Sequence, residues 1–155
     1  MAGRVDARLK ELGIELPPPG PPAGNYVPHV KTGNLVFISG QIPLENGERK
    51  FVGKVGEDFS VEEGQQAARL CMLSVIARLA VALDGDLDRV TRCVKIGGFV
   101  NASPDFGEQP AVINGASDLT AEVFGDIGAH ARFAVGVGSL PFGVAVEVDA
   151  IFEVA

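Results

Sequence analysis

The chain has 155 residues, 46% of them hydrophobic, with 13 basic and 20 acidic side chains and a formal net charge of −7. That length suits one domain with a core of its own, and the apolar share excludes bulk disorder. The uncharged run from Phe133 to Val146 is too short to span a bilayer and is broken by glycines and Pro141. The acidic balance disfavours a nucleic-acid grip built on general basicity.

Val5 to Leu12 read as a short amphipathic helix closed by Gly13. Residues 16–22 hold half of the chain's ten prolines, and such a stretch is an extended connector because proline fixes φ and lacks the backbone donor. Residues 1–25 are therefore expected to form a helix and proline-rich lead, and 26–155 the domain proper. The run Asn34 to Ser39 is β-branched and aromatic and is bounded by Gly33 and Gly40, which predicts a strand. Thr32–Asn34 and Glu45–Glu48 read as turns on either side of it. Ser60 and Glu63 stand at capping-box spacing. The helix they begin places Ala68, Met72, Val75, Ile76, Leu79 and Leu83 on one face and ends at Asp84–Gly85. Val90 to Val100 is the next strand, with Gly97–Gly98 marking a bulge or a close approach. A second helix is expected from about Pro110 to Phe124.

Arg132 to Ser139 and Val144 to Val154 are two further strands, read as a hairpin across Leu140–Gly143. Val144, Val146, Val148, Ala150, Phe152 and Val154 alternate with Ala145, Glu147, Asp149, Ile151 and Glu153, so one face is apolar and the other acidic. Strands, helix, strand, helix and strands in this order predict an α+β domain with both helices on one face of a mixed sheet. Cys71 and Cys93 lie in apolar surroundings and read as buried thiols of a reducing compartment. The first residues lack the apolar stretch of an export signal, so a cytoplasmic location is expected.

Familiar catalytic motifs are absent. There is no nucleophile elbow, phosphate-binding loop or complete dinucleotide fingerprint, and His29 and His130 have no metal-ligand spacing around them. Neither a metal nor a cofactor is expected. What remains is Arg132, a charge followed by small and apolar residues, which must find an anion. In a hairpin centred between Leu140 and Pro141 it would lie opposite Asp149, with Glu147 as diagonal neighbour. The alternative is that Arg132 grips a substrate carboxylate bidentately while Glu147 or Asp149 holds a water.

Residues 33–43, Gly-Asn-Leu-Val-Phe-Ile-Ser-Gly-Gln-Ile-Pro, resemble the T-G-x-h-h-x-S-G-Q-h-P segment of the RidA/YjgF family, where h is apolar. His130 to Pro141 and Val146 to Ile151 resemble its P-A-R-x-x-V-x-V-x-x-L-P and V-E-I-E-A-I motifs. The resemblance runs from about Tyr26 to Val154, and the proline-rich lead points to a longer, L-PSP endoribonuclease-like branch.

The resemblance implies a chorismate-mutase-like fold and a homotrimer with clefts between subunits. It implies cofactor-independent hydrolysis of reactive imines and enamines, such as 2-aminoacrylate, to 2-keto acids and ammonia. Arg132 matches the arginine that pairs with the substrate carboxylate, and Glu147 the carboxylate that orients water. Tyr26, Ser39, Gly40, Asn114 and Ala134 match cleft positions. The chain departs from the pattern at Asn25, at His130 (where the family has proline), at Phe133, and at Ala134, where deaminating members often have cysteine. Those departures keep open a binding or sensing role for a carboxylate metabolite. Ribonuclease activity, attached to part of the family, is disfavoured by the acidity and by the lack of a histidine pair.

Overall fold

The computed structural model describes residues 3–155. Helix α1 (Arg4–Glu11) is followed by strands β1 (His29–Thr32), β2 (Leu35–Gln41), β3 (Leu44–Glu45) and β4 (Glu48–Arg49). Helix α2 (Val61–Ala82), strand β5 (Val90–Asn101), helix α3 (Gln109–Phe124) and strands β6 (Ala131–Val137) and β7 (Val146–Val154) complete the chain. A five-stranded mixed sheet has the order β1-β2-β7-β5-β6, antiparallel except for the β5–β6 pair. Strands β3 and β4 form a separate small hairpin whose turn residues, Asn46 and Gly47, both have positive φ, as an Asn-Gly turn requires.

The Ser60 side chain accepts from the Glu63 amide at 3.1 Å, and the Glu63 carboxylate accepts from the Ser60 amide at 3.0 Å, so α2 begins with two of its free donors satisfied. Its apolar face, including Met72, Val75, Ile76 and Leu79, is fully buried against the sheet. Helices α2 and α3 lie side by side, and their contact is tight at Gly115, where any side chain would strike the Gln65 carbonyl. Gly97–Gly98 proves to be a close approach: the register shifts of β5 fall earlier, while side chains here would meet Phe133, Asp149 and Ile113. Cys71 and Cys93 are free and buried.

A short 3-10 turn, Leu87–Arg89, fastens two distant parts of the chain. The Asp88 carboxylate accepts from the Arg4 and Val5 amides at 2.8 Å each, capping α1, whose Val5 and Leu9 are buried. Arg89 exchanges bonds with the last residue: Ala155 N–H donates to the Arg89 carbonyl, and Arg89 Nε donates to the Ala155 carbonyl.

The expected β6–β7 hairpin does not form. Strand β6 pairs only with β5, in parallel, and β7 lies on the other side of β5, antiparallel to it. Parallel pairing needs a crossover, which α3 supplies between β5 and β6. The chain then passes over the end of β5, where Asn101 N–H donates to the Ala145 carbonyl, and re-enters the sheet between β5 and β2. Alternation of apolar and polar residues sets the faces of a strand and says nothing about its neighbour. Ala145, placed on the outer face by alternation, is fully buried in this crossing, its N–H bonded to the Phe51 carbonyl.

Candidate functional site

Arg132 is in register with Ile96, which is in register with Ala150, and paired residues share a face of a sheet. Ile96 and Ala150 are buried beneath the helices, so Arg132 points toward α3. Its Nη1 donates to Asn114 Oδ1 at 2.9 Å and to Ser117 Oγ at 3.2 Å, and its Nη2 donates to the Pro110 carbonyl at 3.2 Å. A guanidinium has five N–H donors. Nε–H and one Nη2 hydrogen of Arg132 thus have no partner among the described residues. The ion pairs among those residues are Arg8–Glu11 and Arg69–Glu122, neither of them here. The arginine is therefore held by neutral acceptors with donors to spare, the arrangement that suits a bound carboxylate. Ala134 lies on the same face, in register with Gly98. Phe133 turns to the other face and packs edge-on against Phe99, with ring centroids 5.2 Å apart.

The predicted ion pair with Asp149 is absent, because Asp149 is in register with Gly97 on β5 and faces away from the helices. Glu147, in register with Phe99, shares that open face. Both carboxyls are half-buried. Burial, reinforced by the Asp149 charge, raises the Glu147 carboxyl above its ordinary range. Burial raises Asp149 as well, against the Gly97 amide and the Lys95 ammonium, which pull it down. Gly40 sits in the irregularity of β2 between Ile38 and Gln41, and a side chain there would overlap the Glu147 carboxylate. The neighbouring Ser39 Oγ donates to the Val27 carbonyl at 2.8 Å, which brings the Tyr26 segment alongside.

The seven positions singled out in the sequence therefore fall into two groups. Arg132, Asn114 and Ala134 lie at the β6 edge toward α3, and Glu147, Gly40, Ser39 and Tyr26 lie around the β2–β7 pair. Arg132 and Glu147 occupy opposite faces, with β5 between their strands. One copy of the chain does not unite them over a small molecule.

Two further residues belong to the first group. Ser117 Oγ lies 2.9 Å from His130 Nε2, and His130 Nδ1 lies 2.6 Å from the Gly128 carbonyl. The signal for both was periodicity: Ser117 follows Asn114 by one helical turn, and His130 precedes Arg132 by one strand repeat. An open groove of about 300 Å³ lies farther along β6, beside Gln109, Gly136 and Gly138, and does not include Arg132. The thiols take no part: burial raises Cys71 strongly and pushes Cys93 up to about 12. Among the described residues, no group of three or more His, Cys, Asp or Glu side chains is placed to hold a metal ion, and no helix is long and apolar enough to cross a membrane.

Residues 6–152 match the family model described as "YjgF/chorismate_mutase-like, putative endoribonuclease". Protein TCP17 of Trypanosoma cruzi is 53% identical over 98% of this chain and 95% of its own. A crystal structure of an Agrobacterium tumefaciens protein of unknown function superposes with a TM-score of 0.91 at 48% identity, over 97% of this chain and 92% of that one. The crystal structure of E. coli TdcF with bound serine superposes with a TM-score of 0.62 at 27% identity, over 89% of this chain and 94% of that one. With its motifs, its mixed sheet and its two covering helices, the chain belongs to the RidA/YjgF family and has the YjgF/chorismate-mutase-like fold.

Proposed function

We propose that the protein hydrolyses small reactive imines and enamines of the 2-aminoacrylate kind to 2-keto acids and ammonia, without a cofactor, in clefts completed between three copies. The observation that carries this reading is the Arg132 guanidinium, fixed by three neutral acceptors with two donors left for an anion. A 2-imino acid bears its carboxylate next to the electrophilic carbon, so gripping the carboxylate also fixes the C=N bond, and orientation supplies much of the rate. In the proposed sequence, 2-aminoacrylate takes a proton at its methylene carbon and becomes the imine. Water adds to the imine carbon, and the resulting carbinolamine releases ammonia and leaves pyruvate. A carboxyl raised like that of Glu147 is suited to give the first proton and, once ionised, to hold the attacking water.

Because Glu147 and Arg132 face apart in one copy, the reading requires a neighbour to bring them together. The open face of the sheet favours such a neighbour, since Val30, Phe37 and Val135 are exposed on it beside Phe99, Phe133 and Ile151. The serine in the TdcF structure is a small molecule with the same carboxylate.

Ala134 favours a second reading, a sensor of carboxylate metabolites, because it offers the ligand no reactive group beside Arg132. The experiment is release of ammonia and keto acid from freshly generated 2-aminoacrylate. Wild type is expected to accelerate it and Arg132→Ala to lose the effect. Wild type no faster than buffer overturns the enzymatic reading, and Arg132-dependent binding of 2-oxobutanoate would then select the sensor.

A further inference from the structure

We infer that His130 and Ser117 are positioning residues that orient Arg132 through a one-way chain of hydrogen bonds. The direction follows from the partners. His130 Nδ1 is 2.6 Å from the Gly128 carbonyl, a group that can only accept, so Nδ1 carries the proton. In the neutral imidazole Nε2 is then an acceptor, and Ser117, 2.9 Å away, donates its hydroxyl hydrogen to it. The Ser117 oxygen is left with only lone pairs to offer, and one of them receives Arg132 Nη1–H at 3.2 Å.

Each link has one orientation in which every partner is satisfied, and it ends in an acceptor aimed at the guanidinium. A serine hydroxyl alone rotates freely and can turn its hydrogen toward a cation; His130 removes that freedom. Asn114 Oδ1 takes the other hydrogen of Nη1 and the Pro110 carbonyl one of Nη2, so the chain fixes the side of the guanidinium away from its free donors. His130 stands where the family pattern quoted above has proline, a residue whose side chain cannot make these bonds.

That Arg132 then receives a carboxylate is the reading proposed above, and the experiment separates the two. In the ligand-free protein, ¹⁵N NMR is expected to show His130 protonated at Nδ1. Rotation of the Arg132 guanidinium should be restrained in wild type and released in His130→Phe and Ser117→Ala. A proton on Nε2 alone, or Arg132 motion unchanged in both variants, overturns the inference whatever the ligand.

Calorimetry with 2-oxobutanoate gives the second arm. His130→Phe and Ser117→Ala are each expected to weaken binding roughly tenfold, the effect of one hydrogen bond to a charged group. The double variant should be no weaker than Ser117→Ala, and His130→Gln, whose amide oxygen can accept from Ser117, should recover most of the loss. Fully additive losses, or wild-type affinity in His130→Phe, overturn the inference. Restrained Arg132 in a wild type that binds no 2-oxobutanoate upholds the positioning and removes the proposed ligand class.

Discussion

Toward the helices, β7 presents Val146, Val148, Ala150, Phe152 and Val154, none more than 3% exposed, while its other face carries Glu147, Asp149, Ile151 and Glu153, all half-covered. The first face is settled within one copy: apolar side chains meet apolar side chains, and each large one contributes about 1.5–3 kcal/mol. The second holds two carboxyls that burial keeps from ionising easily, next to exposed Val30 and Phe37. A domain that needed only to fold would not place charge there. Stability resides on one face, and on the other a single copy leaves apolar surface uncovered and charge in unfavourable surroundings.

The sharpest way to break this contrast uses one variant from each group. If the proposed function holds, Arg132→Ala and Glu147→Gln are each expected to lose about 10²-fold or more in ammonia release from 2-aminoacrylate, since each removes a charged group assigned to the substrate or its water. Unfolded together and refolded as mixed assemblies, they should regain activity, because roughly a quarter of randomly assembled clefts in a cyclic assembly draw both intact residues from different copies. Ammonia release after mixing measures this; no recovery would mean that both residues act within one copy.

On the helix side the test is steric. Gly115→Ala drives a methyl group into the Gln65 carbonyl, and overpacking of this kind costs about 1–3 kcal/mol. Chemical denaturation would register it, and an unchanged midpoint would show that α2 and α3 separate without penalty.

A smaller effect of opposite sign is expected on the open face. The raised Glu147 and Asp149 carboxyls add stability below the ordinary carboxyl range, and that contribution is lost as pH rises through their raised values. Glu147→Gln should therefore melt higher than wild type near neutrality, with the advantage vanishing in acid; equal melting temperatures at every pH would contradict the burial argument.

The smallest effect belongs to Asp88, held below its ordinary range by the Val5 amide first and the Arg4 amide second. Its contribution is present above the ordinary aspartate range and lost as pH falls through the lowered value. Asp88→Ala should loosen α1 and speed limited proteolysis near it, while an unaltered cleavage rate would mean that the buried Val5 and Leu9 suffice.

Much of the fold was legible because its signals are local. The Ser60–Glu63 box, the helical stripe from Ala68 to Leu83 and the alternation of β7 each depend on residues a few positions apart, and each forms as read. The neighbour of β6 was not legible, because side-chain alternation is the same whichever strand lies alongside. That one error put Arg132 opposite Asp149, whereas the register puts it next to Ile96 and under α3. The relay through Ser117 and His130 joins a helix to a strand, and no single stretch of sequence contains it.

The turn at Leu87–Arg89 has a consequence for how the chain can be cut and rejoined. Asp88 holds the first helix and its neighbour Arg89 holds Ala155, so the two extremities of the described chain meet at one place, next to a strand that begins at Val90. A short polar linker could join them, and new ends could be opened at the exposed Asn46–Gly47 turn with the sheet order unchanged. In such a circular permutant the path from Asp88 to Val5 would run through β7 and the linker instead of the 83 residues it spans now, a loop of similar length, so the α1 cap should keep its strength while Ala155 and α1 become neighbours in sequence.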